Sequence, residues 1–81
     1  MRLFAVWNRA YKMRCIIAAT IEDALAIAVR TGHIKRAQGY RKWLDLTDNP
    51  PEELAPHLEG LMAEGRAGVA VQSEQGWHLS S

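Results

Sequence analysis

Apolar residues recur along this chain first with the period of a strand and then with that of a helix, and the change of period happens twice. In Arg2 to Asn8, Leu3, Ala5 and Trp7 alternate with Phe4 and Val6, and the aromatic and β-branched content suits a buried strand. After a polar break at Asn8-Arg9-Ala10, the chain resumes from Tyr11 to Ala19 with Tyr11, Met13 and Cys15 on one face and Lys12 and Arg14 on the other. So short a break leaves no room for a parallel crossover, so the two runs predict an antiparallel hairpin.

Thr20 ends the strand pattern. Its hydroxyl suits the free amides of a helix start and Asp23 stands three residues on, as in a capping box. Ile21, Ala24, Leu25, Ala28 and Val29 then keep the 3.6 period up to Gly32, a left-handed stop, which predicts a helix over 21–31. Tyr40 to Leu46 reads as a third strand. Asn49-Pro50-Pro51-Glu52 reads as a second helix start, with Asn49 as cap and Pro50 in the first helical position. That helix, over 50–64, carries the stripe Leu54, Leu58, Leu61 and Met62, with Pro56 separating or kinking its first turn. Gly68 to Gln72 and Trp77 to Leu79 flank the polar loop Ser73-Glu74-Gln75-Gly76 and predict a closing hairpin.

The predicted order is therefore β-β-α-β-α-β-β. It describes a single α+β domain over residues 1–81, an antiparallel sheet packed against two helices. Leu25, Val29, Leu58, Leu61 and Val71 are its predicted core. Trp7 and Trp77, in apolar strands, join them on the area a buried indole removes from water.

A hydrophobic share of 48% with 23% charged residues is that of a globular chain, which argues against disorder, and no apolar run is long enough to cross a bilayer. The start, Met1 to Trp7, lacks the pattern of a secretory signal, which implies a cytoplasmic protein. Cys15, the single cysteine, has no second thiol to pair with and reads as core.

Charge is divided along the chain. Residues 1–50 hold nine Lys/Arg against four Asp/Glu, and residues 51–81 hold one against five. Such a division steers association with a charged partner, unless the two halves neutralise each other where they pack.

The chemistry-bearing residues are scattered. His33, His57 and His78 are isolated and no closely spaced Cys or His pair suggests a metal centre. No nucleophile elbow, phosphate loop or paired His-Glu motif appears, and Glu52 and Glu53 read as acids of a first helical turn. The expectation is a binding protein with no catalytic residues and no cofactor. Its most informative stretch is His33 to Trp43, where Lys35, Arg36, Arg41 and Lys42 interleave with Tyr40 and Trp43. Cations beside flat rings suit phosphate or carboxylate partners. The same residues equally describe two core rings beside a solvated basic loop.

Taken together, the first hairpin and the run Thr20-Ile21-Glu22-Asp23-Ala24-Leu25-Ala26-Ile27-Ala28 resemble a pattern found in small phage and mobile-element proteins, among them anti-CRISPR proteins. The likeness covers residues 1 to 32 at motif level and the rest in size and layout. It implies a phage-type inhibitor that docks on a CRISPR effector complex in the host cytoplasm and blocks nucleic-acid binding or nuclease recruitment. A net charge of +1 departs from the strongly acidic nucleic-acid mimics among such inhibitors. On this reading Lys35, Arg36, Tyr40, Arg41, Lys42 and Trp43 address an acidic surface, or Glu52, Glu53, Glu59 and Glu64 address a basic groove. The alternative is a small nucleic-acid-binding or regulatory protein that uses the basic and aromatic loop 33–43 on phosphates directly.

Overall fold

The computed structural model describes residues 1–80. Its elements follow the predicted order: β1 (Arg2–Asn8), β2 (Met13–Ala18), α1 (Ile21–Arg30), β3 (Tyr40–Asp45), α2 (Ala55–Ala63), β4 (Gly68–Ser73) and β5 (Gly76–Ser80). The strands form one antiparallel sheet in the order β3-β1-β2-β4-β5. Both hairpins are kept, and β3 and β5 are its edges.

Alternation along the strands sends neighbouring side chains to opposite faces, so a sheet apolar on both faces needs cover on both. Phe4, Val6, Ile16, Ala18 and Val69 form one core with Ala24, Ile27 and Ala28 of α1 and with Ile34. Leu3, Cys15, Ile17, Ala70 and Leu79 form the other with Leu54, Leu58 and Leu61 of the α2 segment. The result is three layers, a helix on each side of the sheet. Cys15 is buried as its sequence context predicts, and burial pushes its thiol pKa up.

α1 starts as its sequence predicts. Thr20 is extended and its hydroxyl accepts from the Asp23 amide at 3.2 Å, while Glu22 and Asp23 occupy the positive end of the helix. Gly32 just beyond has φ +79°, a conformation that glycine adopts without a Cβ penalty.

α2 does not start where its sequence predicts. Asn49 is not its cap: the helix begins at Ala55, after Leu54, without any side-chain cap. The reason lies in Pro50-Pro51, because a residue that precedes proline is steered away from helical backbone. The Pro51 carbonyl accepts instead from Leu54 and Ala55 at 3.0 and 2.9 Å, closing a separate turn. Glu52 and Glu53 lie in that turn and are not acids of a helix end. Pro56 then falls in the first turn of α2, where its missing N–H is not needed.

Leu58 and Leu61 are buried as predicted, whereas Leu25, Val29 and Val71 are half-buried at the margin of the α1 core. Trp7 and Trp77 are also half-buried rather than enclosed. For Trp7 the cause is its place on the α2 side of β1, beside the edge strand, which α2 does not cover. The same margin leaves Leu44 46% and Met13 41% exposed.

Candidate functional site

Six of the nine basic residues of the first half, Arg9, Lys12, Lys35, Arg36, Arg41 and Lys42, lie at one end of the sheet. They come from two loops, the β1–β2 turn and the connection from α1 to β3, and from the start of β3. Each loop is shaped by its own sequence, and two hydrogen bonds tie them together.

The β1–β2 turn is organised by Asn8. Its side-chain oxygen accepts from the amides of Ala10 and Lys12 at 2.9 and 3.0 Å, and its carbonyl accepts from the Tyr11 amide at 3.0 Å. Three loop residues with the last one left-handed make a common hairpin geometry in which that position favours glycine. Here it is Tyr11, with φ +61°, the only non-glycine residue with positive φ among the described residues. A bulky residue held there costs on the order of 1–3 kcal/mol, so the fold carries strain that projects this ring outward. Tyr11 is 68% exposed.

The second loop leaves α1 at Gly32 and turns under His33. The His33 amide donates to the Ala28 carbonyl at 2.9 Å, which anchors it to the helix. Its ring is 6% exposed, and Nε2 lies 2.7 Å from the Val6 carbonyl; because a carbonyl only accepts, Nε2 carries the proton. Asn8 Nδ2 donates to the His33 carbonyl at 3.3 Å. Thus His33 is a buried strut between α1 and β1, and Asn8 joins the strut to the hairpin tip.

Between the two loops lies an open cleft of about 450 Å³, lined by Asn8, Arg9, Ala10, His33, Ile34, Lys35, Arg36 and Gly39. Three of these are cations and none is a carboxylate. The cleft continues onto the start of β3, where the register with β1 shifts between Trp7 and Asn8 so that Arg41 has no β1 partner. This bulge turns Arg41 toward the hairpin tip, and its guanidinium carbon stands 3.9 Å from the centre of the Tyr11 ring. Lys42 Nζ stands 4.4 Å from the centre of the Trp7 ring. Each cation is thereby held near the surface by a ring it would otherwise swing past.

Of the predicted site residues, Lys35 and Arg36 line the cleft and Arg41 and Lys42 are held on rings beside it. Tyr40 is half-buried against the α1 core. Trp43 sits at the border of exposure, 37%, in a T-shaped contact with Phe4 whose ring centres are 6.0 Å apart. Glu52, Glu53, Glu59 and Glu64 are exposed on the α2 segment, and Glu64 is paired with Arg66 at 3.0 Å.

The charge division is not cancelled by packing. Among the described residues the salt bridges are Arg2 with Asp45 and Arg66 with Glu64, each within its own half of the chain. Arg9, Lys12, Lys35, Arg36, Arg41 and Lys42 form none, and the segments that carry them, 8–14 and 31–44, contain no Asp or Glu.

Asn8, Arg9 and Tyr11 belong to this site although the sequence pattern assigns them no part in it, and His33, which opens the predicted basic stretch, enters it as a buried strut and not as an exposed cation. Asn8 and Arg9 read there as a polar break and His33 as an isolated histidine. Only the pairing of β3 with β1 brings the hairpin tip beside the second loop, and strand periodicity does not specify that pairing. Compared with known proteins, the chain matches no family model, no curated protein and no solved structure.

Proposed function

We propose that this protein works by stoichiometric binding, docking its basic end and the adjoining β3 edge on an acidic face of a protein assembly. Following the resemblance to anti-CRISPR proteins, the assembly is a CRISPR effector complex, and docking blocks its nucleic-acid binding or its recruitment of a nuclease. The observation that carries the reading is the set of six cations at one end of the molecule with no salt-bridge partner among the described residues, beside a strand with one free edge. Uncompensated charge steers a partner, and an open antiparallel edge offers backbone donors and acceptors to a strand of that partner.

The rings favour docking over base stacking. Trp7 and Tyr11 each have a cation over one face, and Trp43 is packed against Phe4 with the two ring planes 74° apart. They order the cations and do not form an open stack of free faces such as single-stranded nucleic acid uses.

The test is phage plaquing on a panel of hosts with active CRISPR systems of different types. Expression of the protein is expected to restore plaquing in at least one host. Reversing Lys35, Arg36, Arg41 and Lys42 to Glu should abolish the effect, while reversing Glu52, Glu53, Glu59 and Glu64 to Lys should preserve it. No restoration in any host, together with salt-sensitive binding to DNA or RNA, would replace this reading with direct nucleic-acid binding.

A further inference from the structure

The cleft between the hairpin tip and the second loop has more than charge to offer a ligand. We propose that it is a binding site for a phosphate group, held by the side chains of Arg9, Lys35 and Arg36 together with the backbone amides of the same residues. This inference rests on the cleft alone and not on docking to a protein assembly.

Four observations converge there. The cleft is lined by three cations and no carboxylate, so an anion entering it meets no repulsion from its walls. The amides of Arg9, Lys35 and Arg36 donate to no protein acceptor among the described residues, whereas those of Ala10, His33 and Ile34 beside them are all bonded within the chain. Free amides next to cations are how loops without a helix end hold anions. The two walls are fixed relative to each other by Asn8 to His33 and by His33 to Val6, so the backbone amides are placed before a ligand arrives. Finally, Gly39 closes a turn onto Arg36, its amide 2.8 Å from the Arg36 carbonyl, and a Cβ there would stand 3.0 Å from that oxygen. The absence of a side chain at Gly39 lets the loop fold tightly enough to present Arg36 at the cleft.

A phosphate suits this set better than a carboxylate. Its oxygens spread in three dimensions and match donors that come from two opposing loops, whereas a carboxylate accepts in one plane. The volume, about 450 Å³, leaves room for the sugar or chain that carries the phosphate.

The experiment follows backbone amide shifts at constant ionic strength with four probes: inorganic phosphate, acetate, uridine 5′-monophosphate and a thymidine octamer with hydroxyl ends. Phosphate is expected to shift the amides of Arg9, Lys35 and Arg36 saturably, and acetate is not. Tighter binding of the monophosphate assigns a terminal or free phosphate as the source, and tighter binding of the octamer assigns an internal backbone phosphate. Arg36→Gln should weaken phosphate binding about tenfold, the worth of one charge-assisted hydrogen bond, without loss of the fold. Gly39→Ala, which displaces Arg36 while keeping every charge, should weaken it as well. The proposal is overturned if acetate moves the same amides at the same concentration. It is equally overturned if phosphate moves the amides of Arg14, Arg30 and Arg66 as much as those of the cleft, or if Arg36→Gln binds phosphate like the parent.

Discussion

The two helices cover the same sheet from opposite sides, and they do so unequally. α1 begins at a chemically specified residue, Thr20, and lies over a core in which Phe4, Val6, Ile16, Ala18, Ala24, Ile27 and Ala28 are all buried. Even the loop after it contributes Ile34 and His33 to the closed surface. α2 begins without a cap, behind two prolines, and its nine residues reach Leu3, Ile17, Cys15, Ala70 and Leu79 but leave Leu44 and Met13 open. One side of the sheet is sealed over its central strands, with Trp43 left 37% exposed at the β3 edge, and stabilises the fold. The other is sealed only in part, and its open margin adjoins the basic end.

The hardest way to break this comparison is to cut into the sheet itself. Ile16→Ala, beneath α1, removes a fully buried side chain and should cost about 2–5 kcal/mol, and Leu61→Ala, in α2, should cost a similar amount. Leu44→Ala, on the open margin, should change stability by no more than about 0.5 kcal/mol. Chemical denaturation of the three variants measures the contrast. A Leu44→Ala protein as unstable as Ile16→Ala would mean that the α2 side is closed in solution.

A smaller effect separates the two helix starts. Thr20→Ala deletes a hydroxyl that accepts a backbone amide and should cost about 1 kcal/mol. Asn49→Ala removes a side chain that caps nothing, and its cost should lie within about 0.5 kcal/mol. Equal losses at the two positions would show that the turn at Pro51 depends on Asn49 after all.

The same inequality explains what was legible in the sequence. The hairpins, α1 and the element order were legible because each is written locally, in a two-residue alternation, a capping box or a glycine stop. The start of α2 was misread because Asn49 and Pro50 carry the usual signals of a helix start, while the second proline vetoes them. Leu25, Val29 and Val71 show the limit of periodicity. It identifies the apolar side of an element but not where along it the cover ends. The site was half legible: a run of Lys and Arg marks Lys35, Arg36, Arg41 and Lys42, but nothing local joins that run to Asn8 and Arg9. Their meeting depends on β3 choosing β1 over β5 as its neighbour, a long-range pairing.

The least of the expected effects concerns the edge itself. Arg2 and Asp45 tie the first residue of β1 to the last residue of β3, and the Asp45 carboxylate also accepts from the amide and hydroxyl of Thr47, whose hydroxyl in turn accepts from the Leu3 amide at 2.9 Å. The hydrogen bond from Arg2, followed by those from Thr47, holds the Asp45 pKa down to about 2 against the opposing effect of desolvation. A carboxyl whose pKa is lower in the folded than in the unfolded chain binds fewer protons when folded. Its stabilising contribution is therefore complete above the unfolded value, near pH 4, and is lost as pH falls toward 2. Both side chains are substantially exposed, at 48% for Arg2 and 30% for Asp45, so salt screens the pair and the effect is small. Denaturation of Asp45→Asn and of the parent between pH 5 and pH 2 is expected to show a shallower acid slope for the variant, with the difference shrinking as salt is added. An unchanged slope would mean that Asp45 is not tied to Arg2 in solution and that the far end of β3 is as free as its outer edge.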